Sequence, residues 1–256
     1  MKGNYMSRIS RRIFPVLFVM LLIFVLELTL QKAKVPEYII PLPSKVTDVF
    51  LTDWVIIFQN TLVTVSEWLL GVFLAIVLGL FLGFLSFKSE KIHSILSPLL
   101  IISQSIPYLV FTPLLMIWLG LGMAPKVALV VLTCSFPISL VMQNDLIEAK
   151  KEYHLIVEML QINSMKAFFH IYFPYSLPGF FNALKISISY SFGSAVLAEL
   201  MGSESGLGIY LLRAQATFRT DKVIAAVIVI IFISLISTFF VSLLRKKIIF
   251  WKTAKH

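Results

Sequence analysis

The chain has 256 residues, 59% of them hydrophobic and 14% charged, with a mean hydropathy of +0.93, so it has too little polar surface to coat a water-soluble globule. Its formal charge of +9 does not mark a nucleic-acid surface, because the basic residues gather at the ends of apolar runs, where lipid headgroups would meet them. A soluble enzyme is excluded on these grounds, and the chain reads as a series of membrane spans.

Arg8, Arg11 and Arg12 precede an apolar run at 13–30. The run is longer than the apolar core of a secretory signal and has no small-residue cleavage site after it, so it reads as a retained first span. Crossing about 30 Å of hydrocarbon takes about 20 apolar helical residues. Five further segments meet that need, at 60–87, 96–119, 127–142, 177–201 and 223–244. The expected fold is therefore an all-α membrane protein of about six transmembrane helices in one domain, with a first span at 13–30 and a five-helix core over 60–244. The third span carries Pro107 and Pro113 inside it and the fourth Pro137. Such breaks survive where neighbouring helices or a cavity satisfy the freed backbone groups. Six spans put both termini on one side. Fifteen of the 22 basic residues fall on that side and seven on the other, so the positive-inside rule places both termini in the cytoplasm.

Within the second span, Gly79 and Gly83 have the small-xxx-small spacing that lets helix backbones approach, either in ordinary helix packing or at a dimer seam. Glu67 in the same span and Glu199 in the fifth each face a cost of about 2.5–3.5 kcal/mol if charged near the bilayer centre, so both are expected to point inward. Glu67 reads as part of a translocation route or of a buried helix-to-helix bond. Glu199 lies close enough to a span end to reach headgroup water instead. Ser103, Gln104 and Ser105, just before Pro107, either present polar atoms to a pathway at a broken helix or bond between helices.

Between spans four and five the chain becomes polar, from Lys150 to Pro178. Residues 152–161 fit a short amphipathic helix with His154, Glu158 and Gln161 on one face and Tyr153, Ile156, Val157 and Leu160 on another. Asn163 suits the cap of a second helix reaching about Phe173, whose Phe168, Phe169 and Tyr172 would lie against the membrane domain. A helix held parallel to the membrane fits a partner's groove or the headgroup layer. The chain carries no phosphate-binding GxxxxGK[ST] loop, no GxSxG elbow and no set of embedded acids and histidines. His93, His154, His170 and His256 are scattered and Cys134 stands alone in an apolar run, so neither a metal site nor a cofactor site is expected. An ion-driven transporter or channel working alone remains an alternative that would not need the amphipathic segment.

Several stretches in series resemble the permease subunit of bacterial ATP-binding-cassette importers, in the group for nitrate, sulfonate, taurine and thiamine precursors. They are TLVTVSEWLLGVFLAIVLGLFLG, SQSIPYLVFTPLLMIWLGLGMAPK, FPISL, FPYSLPGFFNALKISISYSF and AVLAELMGSESGLGIYL. The family's cytoplasmic loop carries EAA, then glycine, then a hydrophobic-x-x-P pattern. Counting back from Pro174 and Pro178 puts Leu155, Ile156 and Val157 at EAA and Gln161 at the glycine, a degenerate match. The resemblance implies that His154, Leu155, Ile156, Val157, Glu158, Leu160 and Gln161 form a coupling helix seated in an ATPase subunit. It further implies two ATPase copies, an extracytoplasmic substrate-binding protein, a second permease copy (a homodimer being the simpler choice), a bacterial inner-membrane location and no catalytic residues in this chain. TVSEWLLG, GLGMAPK and LLRAQATFRTDKV look most like permeases for pyrimidine precursors of thiamine, with nitrate, sulfonate and taurine permeases close behind.

Overall fold

The computed structural model describes residues 3–250, and among them there is no strand. Lys2, Trp251, Lys252, Lys255 and His256 lie outside the described residues, as do the side chains of Arg8, Arg11 and Arg12. The chain forms two compact units. One combines the described residues up to Gln59 with Tyr210–Ile228, the other Asn60–Ile209 with those from Val229 onward.

The first unit holds α1 (Gly3–Ala33), α2 (Pro43–Thr52), the start of α3 (Trp54–Lys88), the end of α9 (Leu207–Ala216) and the start of α10 (Thr220–Ile248). Pro43 opens α2, where its missing N–H is no loss. Glu27 of α1 then accepts from Ser44 N at 3.1 Å and Ser44 Oγ at 2.7 Å, satisfying donors of that first turn. Asp53, just before α3, is ion-paired with Lys222 of α10 and accepts from Tyr210 Oη at 3.3 Å. Beside it, Arg219 grips Asp221 through Nε at 3.0 Å and Nη2 at 2.7 Å.

The second unit holds the rest of α3, α4 (Glu90–Ser105), α5 (Tyr108–Leu119), α6 (Met123–Met159), α7 (Ser164–Ala167), a π-helical turn (Phe168–Tyr172), α8 (Phe173–Leu200) and the remainders of α9 and α10. Its core lies along α6 and α8, with Leu129, Ile138, Met142 and Leu146 of one and Phe192 and Ala195 of the other fully buried. Helix α8 buries small residues, Ser176, Ala183, Ser187, Ser191 and Ser194, which let its neighbours come close, beside the large Phe180, Phe181 and Phe192. The opposite case is α10, whose Phe232, Leu235, Phe239 and Phe240 are exposed, as a lipid-facing helix requires.

Helices α3 and α6 share a parallel seam. A Cβ added at Gly71 would stand 2.6 Å from Val130 Cβ, at Gly79 2.7 Å from Ile138 Cγ2, and at Gly83 2.7 Å from Met142 Cβ. All three pairs have the same offset of 59 residues, so the glycines form one continuous line of close approach. Ser139 Oγ adds a hydrogen bond across it to Gly79 O at 3.2 Å. Gly79 and Gly83 thus pack within the chain against α6, and the dimer-seam alternative for them falls away.

Among the described residues three helices are each long and apolar enough to cross a membrane, Trp54–Lys88, Met123–Met159 and Thr220–Ile248, and a fourth crossing results if α4 and α5 count as one broken span. That pair bends by 105° at Ile106 and Pro107. Proline disfavours helical backbone in the residue before it, and Ile106 is accordingly extended, with φ −89° and ψ 124°. Helices α1 and α8 overlie the expected first and fifth spans. The chain departs from expectation after the fourth span. Residues 152–159 form no separate short helix but continue α6 without a break, because nothing between Pro137 and Met159 is a glycine or proline and the intervening Leu, Glu, Ala and Lys favour helix.

Candidate functional site

Helix α6 ends in a hydrogen-bonded reversal. Gln161 N–H donates to Glu158 O and Ile162 N–H to Val157 O, both at 3.0 Å, with Gln161 at φ +50°. This is a Schellman closure, whose left-handed position most often holds glycine. Gln161 therefore holds a backbone conformation that glycine adopts at less cost. Val157 and Ile162 pack against the core, and Tyr153 meets Tyr175 edge to face at 5.9 Å. Turned the other way, Leu155, Ile156, Met159 and Leu160 are 70%, 47%, 83% and 66% exposed. Ile156 and Leu160 thus separate from Tyr153 and Val157, with which the helical wheel had grouped them. His154 Nε2 and Glu158 Oε1 stand 3.5 Å apart on the flank, both exposed.

Asn163 caps α7, its Oδ1 accepting from Met165 N at 3.0 Å. The chain then passes through the π turn, where Phe168 packs on Phe84 at 5.1 Å and Tyr172 on Phe87 at 5.7 Å, while Phe169 points outward. The wider turn comes just before Pro174 and Pro178, which cannot donate to the preceding turn. Tyr175 lies at the start of α8, and donation of its hydroxyl to the Glu152 carboxylate pushes its pKa up to about 12.

At the opposite end of this unit a polar network is buried. Asn60, Thr64 and Glu67 fall at i, i+4 and i+7 on one face of α3, continuing the stripe of Gly71. Glu67 Oε1 faces Lys126 Nζ at 2.6 Å, with both side chains 6% exposed, and the pair has the 59-residue offset of the glycine seam. Lys126 Nζ also donates to Ser203 Oγ at 2.8 Å. Glu199, fully buried, accepts from Thr64 Oγ1 at 2.7 Å and Gly208 N at 2.6 Å. Leu207 N donates to Thr64 Oγ1 at 2.9 Å and Gly206 N to Asn60 Oδ1 at 2.8 Å. Three N–H groups opening α9 are thus satisfied by side chains of α3 and α8, and a carboxylate sits at the positive end of a helix. Gly206, at φ +115°, and Gly208 leave the space Glu199 occupies, since a Cβ on either would collide with it.

Glu67, through Lys126 and Ser203, and Glu199, through Gly208, therefore hold the same stretch of chain before and into α9, while Ser103 and Gln104 lie elsewhere, at the α4–α5 break. Ser103 Oγ donates to Leu100 O at 2.8 Å, and Gln104 is exposed. Lys126 was legible only as a basic residue beyond a span end, although the resemblance segment GLGMAPK ends on it. Asn60 and Thr64 were missed, yet their spacing from Glu67 was visible in the sequence.

Residues 75–250 match the family described as the inner membrane component of binding-protein-dependent transport systems. A Haemophilus influenzae protein named "Probable ABC transporter permease protein" is 32% identical over 88% of this chain and 92% of its own length. The formylaminopyrimidine transport permease protein ThiX of Halalkalibacterium halodurans is 25% identical over 96% and 99%. Other matches carry names for transport of aliphatic sulfonates, taurine, riboflavin and nitrate. In three dimensions the chain is similar to an inward-facing structure of the MetNI methionine ABC transporter, with a TM-score of 0.66 over 75% of this chain and 96% of that one, at 16% identity.

Proposed function

The chain belongs to the inner-membrane component family of binding-protein-dependent transport systems, as a permease subunit of an ABC importer, and on that premise we propose how it couples and what it carries. In this family ATP is hydrolysed by a separate subunit, so energy must enter through a surface. The exposed cap of Leu155, Ile156, Met159 and Leu160 carries this reading. Four apolar side chains at a helix end, flanked by His154 and Glu158 and closed by Gln161, suit a groove on an ATPase. Val157 anchors the cap from inside. Two permease copies flank the path, each seated on one of two ATPases, and an extracytoplasmic binding protein delivers the solute. Both termini and the 150–178 segment lie in the cytoplasm. Along the path, Gln104 and Ser103 at the helix break meet the solute. Glu67 and Glu199 set the path's outer end by holding the loop before α9.

The cargo is a pyrimidine precursor of thiamine, a reading supported by the near full-length match to a formylaminopyrimidine permease. A sulfonate, taurine or nitrate cargo is the second reading, supported by other relatives' names. Uptake of labelled formylaminopyrimidine, taurine and nitrate by cells with and without this chain separates the two. Ile156→Asp and Leu160→Asp should leave membrane insertion intact while abolishing uptake and ATPase co-purification; normal values for both would refute the coupling reading. Tags at Lys45 and Lys151 test the orientation, which an externally accessible tag at 151 would overturn.

A further inference from the structure

A cavity of about 670 Å³ lies where the end of α3 and the first turn of α4 meet α6, and it reaches Leu155 at the base of the apolar cap. Six of the side chains lining it carry polar or charged groups, Ser86, Glu90, His93, Lys150, Lys151 and His154. Ser86 is only 2% exposed and its hydroxyl has no hydrogen-bond partner. His93 Nδ1 is likewise buried without one. A buried polar group left unpaired is costly, by about 1–3 kcal/mol, and here two such groups belong to residues that border one cavity, which points to a ligand that reaches them.

Charge and shape narrow the ligand's chemistry. Lys150 and Lys151 are adjacent cations, and Lys150 Nζ is held 5.8 Å above the Phe87 ring, within cation–π range. Glu90 is the one acid lining the cavity, and it sits on the first turn of α4, where the helix dipole already faces a carboxylate. His154 has Glu158 3.5 Å away on its outer side. Ser89 caps α4, accepting from Ile92 N, so the positive end of a 16-residue helix opens here as well. Two ammonium groups, a free hydroxyl, an imidazole nitrogen and a helix N-terminus together suit an anion with several acceptor oxygens. The cavity also stands at the end of the long apolar run of α3, at Lys88, which is headgroup depth for a spanning helix.

We propose that this cavity binds an anionic phosphate, carried either by the headgroup of an anionic phospholipid or by a soluble phosphate ester. One oxygen accepts from Ser86, others from Lys150, Lys151 and His93. Because Lys150, Lys151 and His154 precede Leu155 on the same helix, an occupied cavity steadies the base of the apolar cap. The inference stands independently of the coupling reading, since it concerns binding to this chain alone.

The test uses the full-length chain in neutral detergent, titrated with inorganic phosphate against sodium chloride at matched ionic strength. In parallel, discs of phosphatidylcholine are compared with discs in which phosphatidylglycerol replaces part of it. A rise in thermal midpoint with phosphate identifies a soluble ester, and a rise only in the phosphatidylglycerol discs identifies a lipid headgroup. In either arm Lys150→Gln/Lys151→Gln should weaken the apparent affinity at least about tenfold, and Ser86→Ala should weaken it without removing charge. Lys246→Gln/Lys247→Gln, at the far end of α10, should leave it unchanged. The proposal is overturned if neither probe differs from its control, or if the α10 variant weakens binding as much as the cavity variants.

Discussion

Replacing Lys126 with methionine removes the cation 2.6 Å from Glu67 at a place where both side chains are 6% exposed. The other carboxylate oxygen of Glu67 already has no partner, so no second donor is at hand to replace the lysine. Ser203 Oγ loses its donor as well. Breaking a buried pair by removing one member costs roughly 3–5 kcal/mol, whereas replacing both members with neutral side chains of similar volume is near neutral. At about 2–4 °C of thermal midpoint per kcal/mol for a chain of this size, Lys126→Met should lower the midpoint by roughly 6–20 °C. The double variant Glu67→Gln/Lys126→Met should recover most of that loss, a coupling of about 2–3 kcal/mol. Midpoints read by size-exclusion chromatography of heated, detergent-solubilised protein supply all four corners of the cycle. If the double variant is as unstable as the sum of the singles, the pair does not hold α3 to α6 and the reasoning fails.

Three further outcomes follow from other contacts. Gly79→Leu, which puts a Cβ 2.7 Å from Ile138 Cγ2 and 3.1 Å from Ser135 O, should cost about 1–3 kcal/mol in the same assay, while Gly193→Ala, whose added Cβ meets nothing, should be silent. Gln161→Gly should raise stability by about 1 kcal/mol, because the residue sits at φ +50°, and Gln161→Val should lower it by a similar amount or more; equal midpoints for all three would discount the Schellman closure. The Arg219 guanidinium holds the Asp221 carboxyl below its usual range. A carboxyl depressed in the folded state adds stability above its unfolded pKa and loses it as the pH falls through the folded one. Wild type should therefore lose stability below about pH 4 that Asp221→Asn never had. The effect should not exceed about 0.5 kcal/mol, because Arg219 is 53% exposed.

Whatever depends on composition and local spacing was legible before the fold. The apolar runs lie on helices, Asn163 caps a helix, Pro107 marks a break, and Gly79 and Gly83 face a neighbouring helix. What was not legible depends on register between distant segments. Lys126 became a partner of Glu67 only because α3 and α6 run parallel with a 59-residue offset. Glu199 became a cap for α9 only because Gly206 and Gly208 let the loop fold back over it. The continuity of α6 past Met142 was missed for a different reason. Hydropathy falls at Gln143, where the apolar run ends, but a helix follows backbone propensity and does not stop at a change of polarity.

That continuity gives α6 the character of a lever. Lys126, locked to α3 and to the loop before α9, and Met159, at the exposed cap, belong to one helix and are 33 positions apart. At 1.5 Å per residue the two points are about 50 Å apart, and a tilt of about 10° around the middle carries each end through roughly 4 Å. A displacement of that size is larger than the 2.6 Å separation of the ion pair. A push on the apolar cap therefore reaches the buried charges at the other end of the rod as geometry, with no loop between them to absorb it.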